Sequence, residues 1–213
     1  PISDDSFFAM ITAFAKQHPE VRVQVDFSTR IVDLRRDGYD VALRAAAEIE
    51  PGLVARIVGR YPMIAVASPA YLAELGTPRT VKDLRKHRCL TGFARGELPQ
   101  SSWPVGRGVV HVNSSFSSND LSLLREAAVR GLGIAMLPRF TLADLLDNGA
   151  LVHVLPGLVG TEVRLAVVYL EREFMAPHVR AFIDALIEWA PAFQRAADPR
   201  PAAGTRRRQP RRR

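Results

Sequence analysis

Apolar runs of strand length alternate with helix-period segments along this chain, twice over. That alternation confines it to mostly parallel sheets covered by helices. In the first series, residues 3–18 read as a helix: Phe7, Phe8, Ile11, Phe14 and Ala15 share one stripe, Ser3 or Asp4 can cap it, and Pro19 ends it. Val21, Val23, Val25 and Phe27 then alternate with Arg22, Gln24 and Asp26, the pattern of a strand with one buried face. Residues 31–37 form a helical turn closed by Gly38. Strands follow at 39–44, 53–58 and 63–67, the last two split by Gly59 and Pro62. The second series has short helices at 69–75 and 81–87, a strand at 89–93 and a loop at 94–108 around Trp103. A strand at 109–113 and a helix at 121–130 come next, with Ser117 to Asn119 as caps and Gly131 as the stop. Strands at 134–137 and 151–155 flank a short helix at 142–147. A long apolar strand at 163–170 and a helix at 177–189 close the pattern.

The chain has 213 residues and a net charge of +7. Residues 194–213 carry eight arginines and one acid, so this Arg-rich tail alone accounts for the +7. Residues 1–193 balance 21 basic against 21 acidic side chains, which leaves the folded part no general basic field with which to grip DNA. The tail mixes Arg with Pro, Ala and Gly and reads as disordered. One cysteine, Cys89, permits no internal disulfide and fits a reducing compartment. No apolar run approaches the ~20 residues of a membrane helix. No signal peptide opens the chain, which starts at Pro1 and reads as a fragment of a longer protein.

Enzyme signatures are missing: no GxSxG, HExxH, P-loop or GxGxxG. Histidines 18, 87, 111, 153 and 178 have no ligand spacing to one another or to Cys89, so no metal or cofactor is expected. The two glycines of RGLGIAMLP follow a helix and precede a strand, the reverse of a phosphate loop.

Four segments in this order carry a resemblance: HPEVRVQVDFSTRIVDLRRDGYDVALR (18–44), LVARIVGRYPMIAVASPAYLAELGTPRTVKDLRKHRCL (53–90), HVNSSFSSNDLSLLREAAVRGLGIAMLPRF (111–140), and LVHVLP with MAPHVRAFIDAL (151–156 and 175–186). Together they resemble the effector-binding domain of LysR-type transcriptional regulators over roughly residues 7–190. The resemblance implies an α/β fold like the type 2 periplasmic binding proteins, with two Rossmann-like subdomains and the effector in the cleft between them. Subdomain I would be 1–62 plus 166–193 and subdomain II 63–165, joined by crossover strands at 63–67 and 162–167. The family's first strand would precede Pro1, leaving its neighbour in the subdomain I sheet as an edge. Its winged helix-turn-helix and linker helix would also lie outside this chain, and DNA would be bound only through them.

The expected effector, an organic anion, would meet several places. The run 113–119 joins a strand to a helix N-terminus, where free N–H groups and serine hydroxyls suit a carboxylate; Ser114, Ser115 and Phe116 are the favoured contacts, and Ser117, Ser118 and Asn119 are either further contacts or only caps. Ser3 at the first helix is either a ligand hydroxyl or an N-cap. Ser28 and Thr29 stand in a strand–helix loop as contacts or caps. Arg44 could pair a carboxylate bidentately, or an acid such as Asp40 or Glu48. Phe140 would wall the cleft or pack in a core, and Trp103 would anchor its loop. Cys89 reads as a buried inert thiol. The aromatic stripe of the first helix exceeds one core face, and the resemblance implies a homodimer through that helix and helix 121–130, with a tetramer open to the full-length protein. The reading is a cytoplasmic sensory module that catalyses nothing and has no membrane partner. The alternatives are a periplasmic solute-binding protein and, less favoured, an enzyme on the same scaffold.

Overall fold

The computed structural model describes residues 5–28, 32–45, 51–94, 96–171 and 174–197. Ser3, Thr29, Glu48 and the tail beyond Ala197 lie outside the described residues. The backbone of the fold is a pair of long antiparallel strands, β2 (Leu53–Ala67) and β9 (Gly160–Leu170), paired from Leu53↔Leu170 to Ile64↔Gly160. Around them one sheet runs in the order β1 (Val41–Ala45), β9, β2, β7 (Ile134–Pro138), β3 (Cys89–Gly92), β6 (Ser114–Ser118). The short β8 (Val152–His153) continues on β2 where β9 has ended. Strands β7, β3 and β6 are mutually parallel, whereas β1, β9, β2 and β7 pair antiparallel, so the sheet is mixed rather than mostly parallel.

Gly59 and Pro62 do not split β2. The ladder absorbs Gly59 as an irregularity after Ile57, and β7 joins β2 only from Met63, so Pro62 sits where one flank of the strand is open. The run 22–28 alternates as expected but belongs to no strand, and Val25 and Phe27 are exposed. The expected helical turn at 31–37 is a tight turn over 34–38. The loop at 94–108 contains β4 (Ser102–Val105), which pairs with β5 (Gly108–His111) in a separate hairpin. Trp103 on β4 is fully buried.

Buried side chains gather on both faces of both halves of the sheet. Leu165 and Val167 pack with α5 (Pro177–Ala197), while Ala166, Val168 and Leu170 face the opposite way onto Leu34. Ala65 and Ala67 face Trp103, Tyr71 and Ile134, while Ile64 and Val66 face Leu124, Leu137 and Leu142. The period-2 alternation of β2 and β9 thus supplies all four apolar layers.

Helix α1 (Asp5–Gln17) spends most of its aromatic stripe inside its own chain. Phe7 meets Trp189 edge-on at 5.4 Å and Phe14 meets Phe182 at 5.0 Å, both on α5, and the Trp189 indole N–H donates to Ser6 Oγ at 2.8 Å. Phe8 and Ala15 of the stripe stay exposed. Helix α5 runs past Trp189 to Ala197 and through Pro191, so part of the expected tail is helix. One missing N–H is outweighed there because Phe193 and Ala197 are fully buried. Helix α3 (Leu121–Val129) is capped by Asp120 rather than by Ser117 to Asn119 and ends in a Schellman motif. Leu132 N–H donates to Ala127 O, Gly131 N–H donates to Ala128 O, and Gly131 takes φ +78°.

Candidate functional site

Open parallel sheets bind ligands beyond the carboxyl ends of their strands. Here β3, β6 and β7 end at Gly92, Ser118 and Pro138, beside the place where β2 and β9 pass between the two halves of the sheet. Immediately after Pro138, the 3-10 turn Arg139–Thr141 carries Phe140 out of the strand. Its ring meets Tyr61 of β2 edge-on at 5.3 Å and Phe193 of α5 at 5.5 Å. Phe140 therefore reaches from the β7 half of the molecule into the α5 core. The turn is fixed by Thr141 Oγ1, which donates to Pro138 O at 2.8 Å. Burial pushes the Tyr61 phenol above its ordinary pKa.

The serine run is not a loop. It forms β6, parallel to β3, and its hydroxyls are organised by a residue the motif reading overlooked. Fully buried Thr91 on β3 holds Ser114 Oγ at 2.6 Å and Ser117 Oγ at 2.9 Å, and those two lie 2.9 Å apart. Residues three apart on a regular strand point to opposite faces. A register irregularity opposite Cys89 and Leu90 inserts Ser115 as an extra residue and brings Ser114 and Ser117 to one face. Ser115 Oγ donates to Cys89 O at 3.4 Å. Phe116 points the other way, into the cluster around Leu90 and Leu124. Three hydroxyls in a ring use their protons on one another.

The N-terminus of α3 is already filled. Asp120 accepts from Leu123 N–H at 2.8 Å, and Ser118 Oγ accepts from Asp120 N–H at 3.0 Å. A carboxylate there opposes a second anion, so the helix N-terminus does not supply the anion site that the serine run suggests.

On the opposite half, Arg44 sits half-buried on β1 opposite Ala166, with no ion pair to Asp40. Ser28 is exposed at the end of the run 22–28. The structure thus assembles Ser114 with Thr91 and Ser117, and Phe140 with Tyr61, but gives no contact between these groups and Arg44. A shallow concavity of about 310 Å³ lies elsewhere, between β2 and α5, lined by Ile57, Gly59, Arg60, Ile187, Pro191 and Gln194 among others; it includes none of the expected residues. Its geometry offers no reason to prefer it, since it is broad and mostly apolar.

Cys89 is fully buried at the start of β3, and burial pushes its thiol up to about 12. Among the described residues no cluster of His, Cys, Asp or Glu could hold a metal ion, and no helix is long and apolar enough to cross a membrane.

Residues 2–191 match the family model of the LysR substrate binding domain. The chain belongs to this family. This LysR substrate-binding domain is 31% identical over 183 residues to an uncharacterized HTH-type transcriptional regulator, YhjC, of Escherichia coli, covering 81% of the chain and 59% of the relative. Its fold is similar to part of the full-length structure of the Vibrio cholerae virulence activator AphB (TM-score 0.72, 28% identity, covering 86% of this chain and 63% of that one). CrgA, a LysR-type transcriptional regulator from Neisseria meningitidis, matches equally well (TM-score 0.72, 28% identity, covering 86% of this chain and 63% of that one). The domain spans about three-fifths of the length of the curated relatives it matches. The family is one of regulator domains rather than of enzymes.

Proposed function

We propose that this chain is the effector-sensing part of a cytoplasmic LysR-type transcriptional regulator. It takes a small organic anion between two lobes, residues 1–62 plus 166–193 and residues 63–165, and catalyses no reaction. The observation that carries the reading is Phe140. It leaves the carboxyl end of a parallel strand, where such sheets bind ligands, and packs on Tyr61 and Phe193 of the other half. A molecule entering there changes the contact between the lobes and shifts the population of lobe geometries. Arg44 supplies a half-buried cation for a carboxylate, and the Ser114 and Ser117 hydroxyls, held in place by Thr91, supply donors.

The relatives are HTH-type regulators longer than this chain, so specific DNA contact belongs to a helix-turn-helix outside these residues. A homodimer would use the outer faces of α1 and α3. Phe8, Ala9, Thr12 and Ala13 are exposed on the first, and Leu123 on the second, with Leu132 just beyond it. Sedimentation of wild type and Leu123→Glu tests this contact: the dimer should weaken at least tenfold, and unchanged association would exclude α3 from it.

A thermal-shift screen of aromatic and aliphatic carboxylates tests the site. An anion at 100 times its dissociation constant adds about 2.7 kcal/mol. Arg44→Ala removes a charge-assisted hydrogen bond and should raise that constant by about 10-fold or more. A screen without a stabilising acid, or a hit indifferent to Arg44→Ala, would remove the anion reading.

A further inference from the structure

We infer that Tyr71 and His87 form an acid-sensitive latch that fixes the start of β3, and with it the strand that bears Thr91. Tyr71 lies on α2 (Pro69–Leu75) and His87 directly follows the 3-10 helix Val81–Lys86; they are 1% and 5% exposed. The Tyr71 hydroxyl accepts from the backbone N–H of Arg88 at 2.9 Å. Its single proton is then directed at His87 Nδ1, 3.1 Å away. The pair therefore requires a neutral imidazole with Nδ1 bare.

What the latch holds follows from the next bonds along the chain. Arg88 O accepts from Ile134 N–H at 2.9 Å, and Cys89 N–H donates to Asn113 O at 2.9 Å. Cys89 is the first rung shared with β6 and β7, opposite Ser114 and Ile134. Gly133 fits so closely over Arg88 O that a Cβ there would lie 2.4 Å from it. A displaced Arg88 would shift three strands together.

Protonating His87 places a hydrogen between Nδ1 and a hydroxyl whose own proton then has no acceptor, and it places a charge in a nearly closed site. The titratable groups on the elements around it are Tyr71 and Glu74 of α2, Lys82, Asp83, Arg85 and Lys86 of the 3-10 helix, Arg88, the Cys89 thiol, and His111 on β5, which packs against the 3-10 helix. The Arg88 guanidinium already lies 5.4 Å from the Tyr71 ring centre and engages Glu74 at 3.8 Å. Asp83 alone favours the imidazolium, and it is half-buried and occupied by the N–H groups of Arg79 and Thr80. Burial prevails and holds His87 below its ordinary pKa. The unfolded chain binds the proton from about pH 6.5 downward and the folded chain resists it. The latch is thus intact above that value, and as pH falls the ring protonates by leaving its site.

The test is amide exchange at about pH 7.5 and about pH 5.5, either side of the ordinary imidazole value, with rates corrected for intrinsic exchange. In the wild type, Leu90 and Thr91 should lose tenfold or more of their protection at the lower pH. His87→Asn, whose Oδ1 can accept in place of Nδ1 without titrating, should keep it. His153 is a second histidine held low by burial, and His153→Gln should leave the response of β3 unchanged. Tyr71→Phe should exchange faster at both pH values and show no pH step. Equal protection in the wild type at both values, an undiminished loss in His87→Asn, or a wild-type step in Tyr71→Phe would each overturn the latch. None of these readouts needs an effector, so the latch and the effector site can fail independently.

Discussion

Thr91 carries more of the candidate site than any residue of the serine run. It is fully buried between Leu90 and Gly92 on β3, and its hydroxyl fixes two others. Replacing it with Val keeps the shape and removes both bonds, leaving Ser114 and Ser117 to each other and to water. We expect a loss of about 1 kcal/mol in chemical denaturation, with effector affinity falling further than stability. Equal losses would mean that the hydroxyls only support the fold. Sequence could not reveal Thr91, because its partners lie 23 and 26 residues away and are set by strand pairing. Cys89 was legible, since a lone cysteine in an apolar alternation is a buried thiol by default. Held near 12, it should ignore a disulfide reagent at about pH 8 in the native domain and react on unfolding. Rapid native labelling would show that the start of β3 opens.

At the scale of elements, the helices were read well and the strands less so. The α1 stripe, the Pro69 start of α2 and the Gly131 stop of α3 are local signals, and local signals survive folding. Gly131→Ala forces a side chain into φ +78° and should cost about 1–2 kcal/mol, read as a lower unfolding midpoint; an unchanged midpoint would mean the Schellman turn relaxes freely. Strands are decided by partners instead. Gly59 and Pro62 look like breaks, yet β9 carries β2 across both. The sequence SSFSS has weak strand propensity and pairs because β3 lies beside it. Conversely, the alternating run 22–28 has the stronger strand pattern and joins no sheet. Pro191 shows the same override in a helix, where Phe193 and Ala197 keep α5 going.

For the whole molecule, the two βα series were visible as fold class, and the mixed sheet was not. The long pair β2 and β9 belongs to both halves, and its antiparallel pairing is hidden in the sequence because β2 reads as two pieces, 53–58 and 63–67. The contact that joins the halves is aromatic: Phe140 on Tyr61 and Phe193, with Phe193 filling the space against Gly59. Phe193→Ala leaves a cavity in this junction and should cost about 3–5 kcal/mol. Phe140→Ala should cost less and broaden thermal unfolding as the halves lose cooperativity; a sharp, unshifted transition would show that Phe140 does not couple them.

Effector sensing of this kind depends on one molecule contacting both halves at once. The measurement is an NMR titration of the domain with the carboxylate that stabilises it most. Saturable shifts with one dissociation constant are predicted at Arg44, at Phe140 and at Ser117–Ser118. Shifts confined to one half, or clustered at Ile57, Gly59 and Pro191, would contradict it.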